Sequence, residues 1–228
     1  FTDVDDKLRT IGNNAGKQDL GEDAPSPMKN FVRFPIMGAR QDMNCFQYVG
    51  CTCVCLVVQG NRISIANVGD SRAFLCRNGE FISLSHEHKP ESPREADRIK
   101  KAGATVAQNG PCWRINGYGL NLSRAFGDFG YKMLRDRKPE EQQISVVPDV
   151  IIDDLRGGEE FLLLACDGIF ELLSPHDVYK VVKERMRTKT PLKEICENLL
   201  DIACSKNPRL TQGKGTDNET IVRYFFTC

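Results

Sequence analysis

Three aspartates in this chain stand at the ends of predicted β-strands, where carboxylates can do metal-dependent chemistry. Asp70 follows one predicted strand, Asp167 follows a second, and Asp217 precedes a third. If the three strands are neighbours in one sheet, the acids converge at one edge. Carboxylates and water are the ligands that Mg²⁺ and Mn²⁺ take in proteins. Taken singly, each aspartate also fits a turn or a helix cap, so both interpretations stay open.

The stretch around Asp167 is the most informative of the three. Residues 161–166, Phe-Leu-Leu-Leu-Ala-Cys, are apolar at successive positions, as in a strand that is covered on both faces. The run stops at Asp167 and Gly168, and Glu171 follows four residues after the first acid. A carboxylate at the rim of a core is costly without a partner, and two carboxylates directed at one point favour a hard divalent cation. Asp167 as a cap for the next helix is the simpler alternative.

Antiparallel strands and helices in separate blocks are predicted to position these acids, which indicates an antiparallel sheet with helices layered on it. Alternation, apolar runs and turn residues such as Asn78-Gly79 mark the strands. The predicted strands are 51–58, 62–68, 72–76, 81–84, 144–152, 161–166 and 219–226. Residues 110–131 are rich in glycine and are predicted to be irregular.

Helix starts are marked by a polar cap followed by proline. Ser92, with Pro93 at the first helical position and Glu95 as its capping-box partner, predicts a helix that ends at Gly103. Similar starts at 174–175 and 190–191 predict two more helices, the second with a continuous apolar stripe that suits core packing. Residues 1–11 are predicted to end a helix, and 12–30 to form a flexible loop.

Composition indicates one globular domain spanning residues 1–228. Lysine plus arginine and aspartate plus glutamate number 31 each, which argues against a nucleic-acid or membrane-surface partner. The sequence has no apolar stretch of transmembrane length and no signal-peptide pattern. Its ten cysteines contain no Cys-x-x-Cys pair, so a structural zinc site is not expected. They are interpreted as reduced, buried thiols of a cytoplasmic or nuclear protein.

Six short motifs, in one order along the chain, resemble those of the metal-dependent type 2C protein serine/threonine phosphatases. Each motif is short, but six in order are specific. The resemblance covers roughly residues 50–226. The motifs are Ala-Asn-Val-Gly-Asp-Ser-Arg-Ala (66–73), His-Lys-Pro (88–90) followed by Glu95, Arg98-Ile99 and Ala102-Gly103, Arg-Ile-Asn-Gly (114–117), Leu-Ser-Arg-Ala-Phe-Gly-Asp (122–128), Ala-Cys-Asp-Gly-Ile-Phe-Glu (165–171) and Asp217-Asn218.

The resemblance implies a fold, a cofactor and a substrate class. The fold is an α+β four-layer sandwich of two antiparallel β-sheets flanked by α-helices. Phosphoprotein substrates lose phosphate from serine or threonine to a water that bridges two core Mn²⁺ or Mg²⁺ ions. By resemblance, Asp167 and Asp217 are ligands of one core metal, and Asp70, Asp167 and Glu171 can hold a third, weaker ion. Glu171 departs from the aspartate usual in the family, which leaves the affinity for that ion open.

The early motifs of the family do not occur in this sequence. The Asp-Gly-His-Gly-Gly block, whose aspartate bridges both metals, is absent, and residues 1–8 resemble the helix that follows it. The N-terminal part of the domain is therefore expected to be missing here. It lies upstream in the full protein, is carried by a separate N-terminal fragment, or is truly lost. The predicted function is a metal-dependent protein serine/threonine phosphatase, with a catalytically inactive pseudophosphatase that acts as a binding or scaffold module as the alternative.

Overall fold

The computed structural model describes residues 1–15 and 45–226. This part of the chain contains four α-helices and eleven β-strands. The helices are α1 (Thr2–Ala15), α2 (Pro93–Lys101), α3 (Pro175–Arg187) and α4 (Leu192–Ala203). The strands are β1 (Gly50–Cys51), β2 (Cys53–Gln59), β3 (Arg62–Val68), β4 (Arg72–Arg77), β5 (Glu80–Ser83), β6 (Val106–Asn109), β7 (Cys112–Ile115), β8 (Phe126–Gly127), β9 (Asp149–Asp154), β10 (Glu159–Ala165) and β11 (Ile221–Phe225). Of the predicted loop 12–30, residues 12–15 belong to α1 and the rest lies outside the described residues.

Two antiparallel sheets carry the core. One sheet has the strand order β11-β10-β4-β5, and the other has the order β2-β3-β9. In the first sheet, Ala165 at the end of β10 pairs with Arg72 on one side and with Ile221 on the other. This register brings the start of β4, the end of β10 and the start of β11 to one edge of the sheet.

Strand β10 is covered on both faces, as its apolar sequence predicts. Side chains alternate across a strand, so Leu162 and Leu164 face the second sheet and pack with Ile63 and Ile65 of β3. The intervening side chains, which include Leu163, face the opposite way and join the core formed with α3 and α4. The buried residues of that helix-facing core include Phe161, Leu163, Val178, Val182, Ile195 and Leu199.

The helices α3 and α4 form a layer on the first sheet. Ser174 caps α3, since its hydroxyl accepts a hydrogen bond from the Asp177 backbone N–H and the Asp177 carboxylate accepts one from the Ser174 N–H. The apolar stripe of α4 is buried at Ile195, Leu199 and Ala203, as its spacing predicts. The prediction of an α+β sandwich of antiparallel sheets and helices is confirmed. None of the helices in the described part of the chain is long and apolar enough to cross a bilayer.

Several local predictions differ from the structure. The predicted strand 144–152 begins only at Asp149, because residue 145 makes a single parallel bridge to Arg124 instead of joining the sheet. The region 110–131, predicted to be irregular, contains β7, which pairs with β6 in a hairpin. The prediction that the cysteines are buried is also wrong in part. The eight cysteines whose side chains the structure describes are free thiols, but Cys51 and Cys55 are exposed while Cys76 is buried.

Candidate metal centre

The sheet register gathers the three predicted aspartates at one edge. Asp70 lies two residues before β4, Asp167 two residues after β10, and Asp217 four residues before β11. These strands are adjacent, with β10 in the centre. The acids, far apart in sequence, therefore project from neighbouring strand ends. Their convergence follows from the pairing of the strands.

Asp167 is half-buried, and the negative charges of the other two aspartates affect its pKa. Burial raises the pKa of the Asp167 carboxyl above its ordinary value, and the charge of Asp70 raises it further. Lys89 acts in the opposite direction, and Asp217 adds a smaller upward contribution. The loop that carries Asp217 approaches closely, because a Cβ at Gly168 would lie 2.5 Å from the Asn218 carbonyl oxygen and 3.4 Å from the Asp217 Cβ. The glycine after Asp167 is what permits this approach.

Asp70 is the most buried of the three, with 3% of its surface exposed. Its Oδ2 lies 2.5 Å from Nζ of Lys89, an ion pair that the sequence did not indicate. Gly69 precedes it with a φ of +112°, and a Cβ at this position would lie 2.3 Å from Cγ2 of Thr52, so the turn that presents Asp70 requires glycine. The N–H of Gly69 donates to Nδ1 of His88 at 3.0 Å, which fixes this turn against the segment that carries Lys89.

The contacts of Glu171 differ from those of the aspartates. It follows the short 3₁₀ helix Asp167–Phe170, and its Oε2 accepts a hydrogen bond from the Gly215 N–H at 2.6 Å. The described contacts of Glu171 are therefore with the loop that leads to Asp217. Asp217 itself is exposed, and its Oδ1 accepts the Asn218 N–H at 2.7 Å.

The chemistry of the aspartate cluster fits a hard divalent cation. The carboxylates outnumber the one lysine among them, and a half-buried acid with a raised pKa is stabilised by a bound cation. Within residues 1–15 and 45–226, however, no three or more Asp, Glu, His or Cys groups lie within reach of one ion. The cluster therefore supplies part of a ligand set. The metal-ligand roles of Asp70, Asp167, Asp217 and Glu171 stay predictions.

A second charged cluster lies where α2 packs on the loop before β9, and its centre, Glu95, was predicted to have a different role. Ser92 makes no side-chain capping bond, so the predicted capping box is wrong. Glu95 points inward with 2% of its surface exposed. It pairs with Arg98 and, at 2.7 Å, with Arg124, and it accepts a hydrogen bond from the Ser123 hydroxyl. Tertiary partners take the carboxylate that a capping box would use.

The two charged arginines outweigh burial in setting the protonation of Glu95. Burial by itself raises the pKa of Glu95, but the hydrogen bond from Arg124 and the charge of Arg98 hold it well below its ordinary value. The i,i+3 spacing of Glu95 and Arg98 is a sequence signal for one of these pairs. The contribution of Arg124, which is 29 residues away, has no local signal.

Asp149 links this cluster to the aspartate edge, the neighbouring strand ends that carry Asp70, Asp167 and Asp217. It pairs with Arg94 at 2.6 Å and with Arg124 at 3.0 Å, and His88 Nε2 lies 3.2 Å from its Oδ2. His88 accepts the Gly69 N–H at Nδ1, so we assign its proton to Nε2, facing Asp149. Burial, together with the nearby Arg124, lowers the pKa of His88, and the ring is neutral at pH 7. The network thus connects α2 to the turn that presents Asp70.

Comparison with known proteins assigns the chain to a family. The family model of protein phosphatase 2C matches residues 28–209. The chain belongs to the protein phosphatase 2C family. A probable protein phosphatase of Drosophila melanogaster is 43% identical over 173 residues, covering 76% of this chain and 25% of that protein. A probable protein phosphatase 2C of Paramecium tetraurelia is 39% identical over 177 residues, covering 78% of this chain and 58% of its own.

Solved phosphatase structures share the fold of this chain. A phosphatase from Toxoplasma gondii is 37% identical and superimposes with a TM-score of 0.61, covering 71% of this chain and 47% of its own. A serine-threonine phosphatase 2C from Toxoplasma gondii, at 22% identity, shares the fold with a TM-score of 0.64, covering 79% of this chain and 60% of its own. The chain spans less than two thirds of each of these relatives. Asp70, Asp167 and Glu171 lie within the family match, and Asp217 lies beyond it.

Proposed function

We propose that this chain is part of a metal-dependent protein serine/threonine phosphatase, which hydrolyses phosphoserine and phosphothreonine in phosphoprotein substrates. The observation that carries the proposal is the meeting of Asp70, Asp167 and Asp217 at adjacent strand ends in a chain of the phosphatase 2C family. Asp70 pairs with Lys89, but Asp167 and Asp217 have no ion-pair partner among the residues that the structure describes. The reduced thiols support a cytoplasmic or nuclear location as part of the same proposal.

The residues of the chain would act by holding and orienting. Asp167 and Asp217 would hold one Mn²⁺ or Mg²⁺ ion, and Asp70 with Asp167 would hold a weaker one, with Glu171 as a further acid nearby. Bound divalent ions supply a water of lowered pKa as nucleophile and neutralise charge on the phosphoryl group. The buried end of β10 positions Asp167, and the turn at Gly69 positions Asp70. Because no nucleophilic side chain is needed, no phospho-enzyme forms.

One observation favours the alternative function, a pseudophosphatase that binds without hydrolysis. The described residues gather fewer than three potential ligands around any one point. A scaffold has no chemical need for acids at three adjacent strand ends, however, and these acids favour the enzyme.

Phosphate release from phosphoserine and phosphothreonine peptides, measured with and without Mn²⁺, tests the proposal. We expect activity in the protein with its complete open reading frame. Replacing Asp167 or Asp217 by asparagine should reduce kcat by about a hundredfold or more, since each removes an anionic ligand. Asp201→Asn, an exposed change on α4, serves as the control. Unchanged activity in both ligand variants would exclude these residues from the active site, and an upstream block without its aspartate would favour the scaffold.

A further inference from the structure

The ion pair between Lys89 and Asp70 is unusual for its position. Asp70 is nearly inaccessible to solvent, and Lys89 Nζ lies 2.5 Å from its Oδ2. The lysine side chain retains 27% of its surface and the Asp70 side chain 4%, so the lysine side of the pair faces the solvent and the carboxylate is enclosed. In the described part of the chain, Lys89 is the cation that pairs with the aspartate edge.

The backbone delivers Lys89 to this position. The His88 N–H donates to the Gly69 carbonyl at 3.0 Å, and the Gly69 N–H returns a bond of 3.0 Å to the His88 ring. The two bonds join the residues that immediately precede Lys89 and Asp70. His88 is itself buried and faces Asp149. These two hydrogen bonds hold the backbone of Lys89 next to that of Asp70, and the ion pair holds the side chain. The position of Lys89 is therefore more restricted than that of a fully exposed lysine.

We propose that the Lys89 ammonium occupies the Asp70 carboxylate as an internal cation. A divalent ion must displace this ammonium before it can bind the carboxylate. The inference rests on the proposed function, because it concerns the weaker ion at Asp70 and Asp167. An ammonium group and a divalent ion compete for the same oxygens, so the free energy of the ion pair is subtracted from that of metal binding. Lys89 is thus a positioning residue that sets the metal affinity of Asp70 and keeps this buried carboxylate compensated at low metal concentration.

Mn²⁺ titrations of the 228-residue chain, with free Mn²⁺ measured by electron paramagnetic resonance, test the competition directly. Lys89→Met retains the apolar stem without the charge, and we expect it to bind Mn²⁺ about tenfold more tightly than the unchanged chain. Lys89→Arg retains the charge and should bind with the original affinity. Lys183→Met is the matched control, because Lys183 pairs with Glu160 at the opposite end of β10. Equal or weaker binding by Lys89→Met would overturn the proposal.

A second measurement uses the unchanged chain and does not depend on the folding of a variant. Acetic anhydride labelling of each lysine is followed by mass spectrometry during the Mn²⁺ titration. Displacement predicts that labelling of Lys89 increases with the same midpoint as Mn²⁺ binding, while labelling of Lys183 stays constant. Constant labelling of Lys89 across a titration in which Mn²⁺ binds would show that the ion pair persists, and would overturn the proposal.

Asp167→Asn separates the failure of this inference from the failure of the proposed function. If Asp167→Asn leaves Mn²⁺ binding unchanged, the metal centre is wrong and both proposals fail. If Asp167→Asn abolishes binding but Lys89→Met binds like the unchanged chain, the metal centre stands and the competition by Lys89 fails. The binding assay contains no substrate, so neither outcome depends on catalytic activity.

Discussion

Two charged clusters of this molecule lie on either side of His88 and differ in their charge balance. Around Glu95, the carboxylates of Glu95 and Asp149 meet the guanidinium groups of Arg94, Arg98 and Arg124. At the edge of the first sheet, the ammonium of Lys89 pairs with Asp70 and lies near Asp167, while Asp167 and Asp217 make no ion pair among the residues that the structure describes. One cluster is saturated with partners, and the other has an excess of negative charge.

The difference separates buried charge that is compensated by several partners from charge that is compensated only in part. A buried carboxylate that receives several charge-assisted hydrogen bonds has a lowered pKa and fixes the packing of its neighbours, as Glu95 does between α2 and the loop at residue 123. Asp167 is half-buried without an ion-pair partner in the described part of the chain, and its pKa is raised, first by burial and then by the charge of Asp70. The second arrangement lies at the rim of the core, where, under the proposed function, a divalent cation would compensate it.

Glu95→Gln gives the largest expected effect, because it breaks the saturated cluster. The variant leaves the buried guanidinium groups of Arg98 and Arg124 without their shared anion, so we expect the free energy of unfolding to fall by about 3–5 kcal/mol. Urea unfolding followed by circular dichroism measures the change. Glu91→Gln, on the exposed surface just before α2, should change stability by less than about 0.5 kcal/mol. A similar small effect for Glu95 would show that the network is not a structural unit.

Asp128→Asn tests whether burial alone can make a carboxylate unfavourable away from the aspartate edge. Burial raises the pKa of Asp128 from 3.8 to about 6, with Asp5 adding to the rise and Lys132 opposing it. The folded state therefore binds the proton more tightly, and its stability is lost as the pH increases from below 4 through about 6. At pH 7.5 the variant should be more stable by about 2 kcal/mol, which allows for partial screening.

The pH dependence of the difference between Asp128→Asn and the unchanged chain is the decisive measurement. The gain should disappear below pH 4, where the native carboxyl is protonated in both states. Asp136→Asn, at an exposed position, is the control at each pH. A difference that does not vary with pH would mean that the variant acts through packing and not through the charge of Asp128.

Asp167→Asn tests the cluster with excess negative charge and should stabilise the chain slightly while weakening its response to metal. The folded state raises the pKa of Asp167, so the ionised carboxylate opposes folding at pH 7. In chelator we expect a gain of about 0.5–1 kcal/mol, since Asp167 is only half-buried and solvent screens it. Mn²⁺ should raise the Tm of the unchanged chain more than that of the variant. A loss of stability in chelator would contradict the charge excess inferred for this edge.

Lys101→Met should have the smallest effect of the four. Lys101 pairs with Asp97 at 2.7 Å on the outer side of α2, and both side chains are largely exposed. Exposed pairs of this kind contribute less than about 0.5 kcal/mol. Comparison with Glu95→Gln on the same helix would show that burial, and not the presence of an ion pair, sets the energetic cost. A loss comparable to that of Glu95→Gln would contradict this conclusion.

Elements with a strong local pattern were predicted correctly from the sequence. The apolar run 161–166 became a strand buried on both faces, Ser174 capped α3, and the stripe of α4 packed in the core. Features that depend on partners distant in the sequence were not predicted. The hairpin of β6 and β7 lay in a glycine-rich region without a clear period, and β9 began later than its apolar residues suggested.

The sequence by itself determined that acids stand at strand ends and that the motifs follow the order of one phosphatase family. Only the tertiary structure decided what each acid meets, because charged side chains are attracted by partners that the local sequence does not contain. Asp70 and Lys89 are 19 residues apart, and Glu95 and Arg124 are 29 apart. Strand pairing and helix packing bring these groups together. The same residue type, an acid near a helix or strand end, consequently has several cationic partners at Glu95 and no ion-pair partner in the described part of the chain at Asp167.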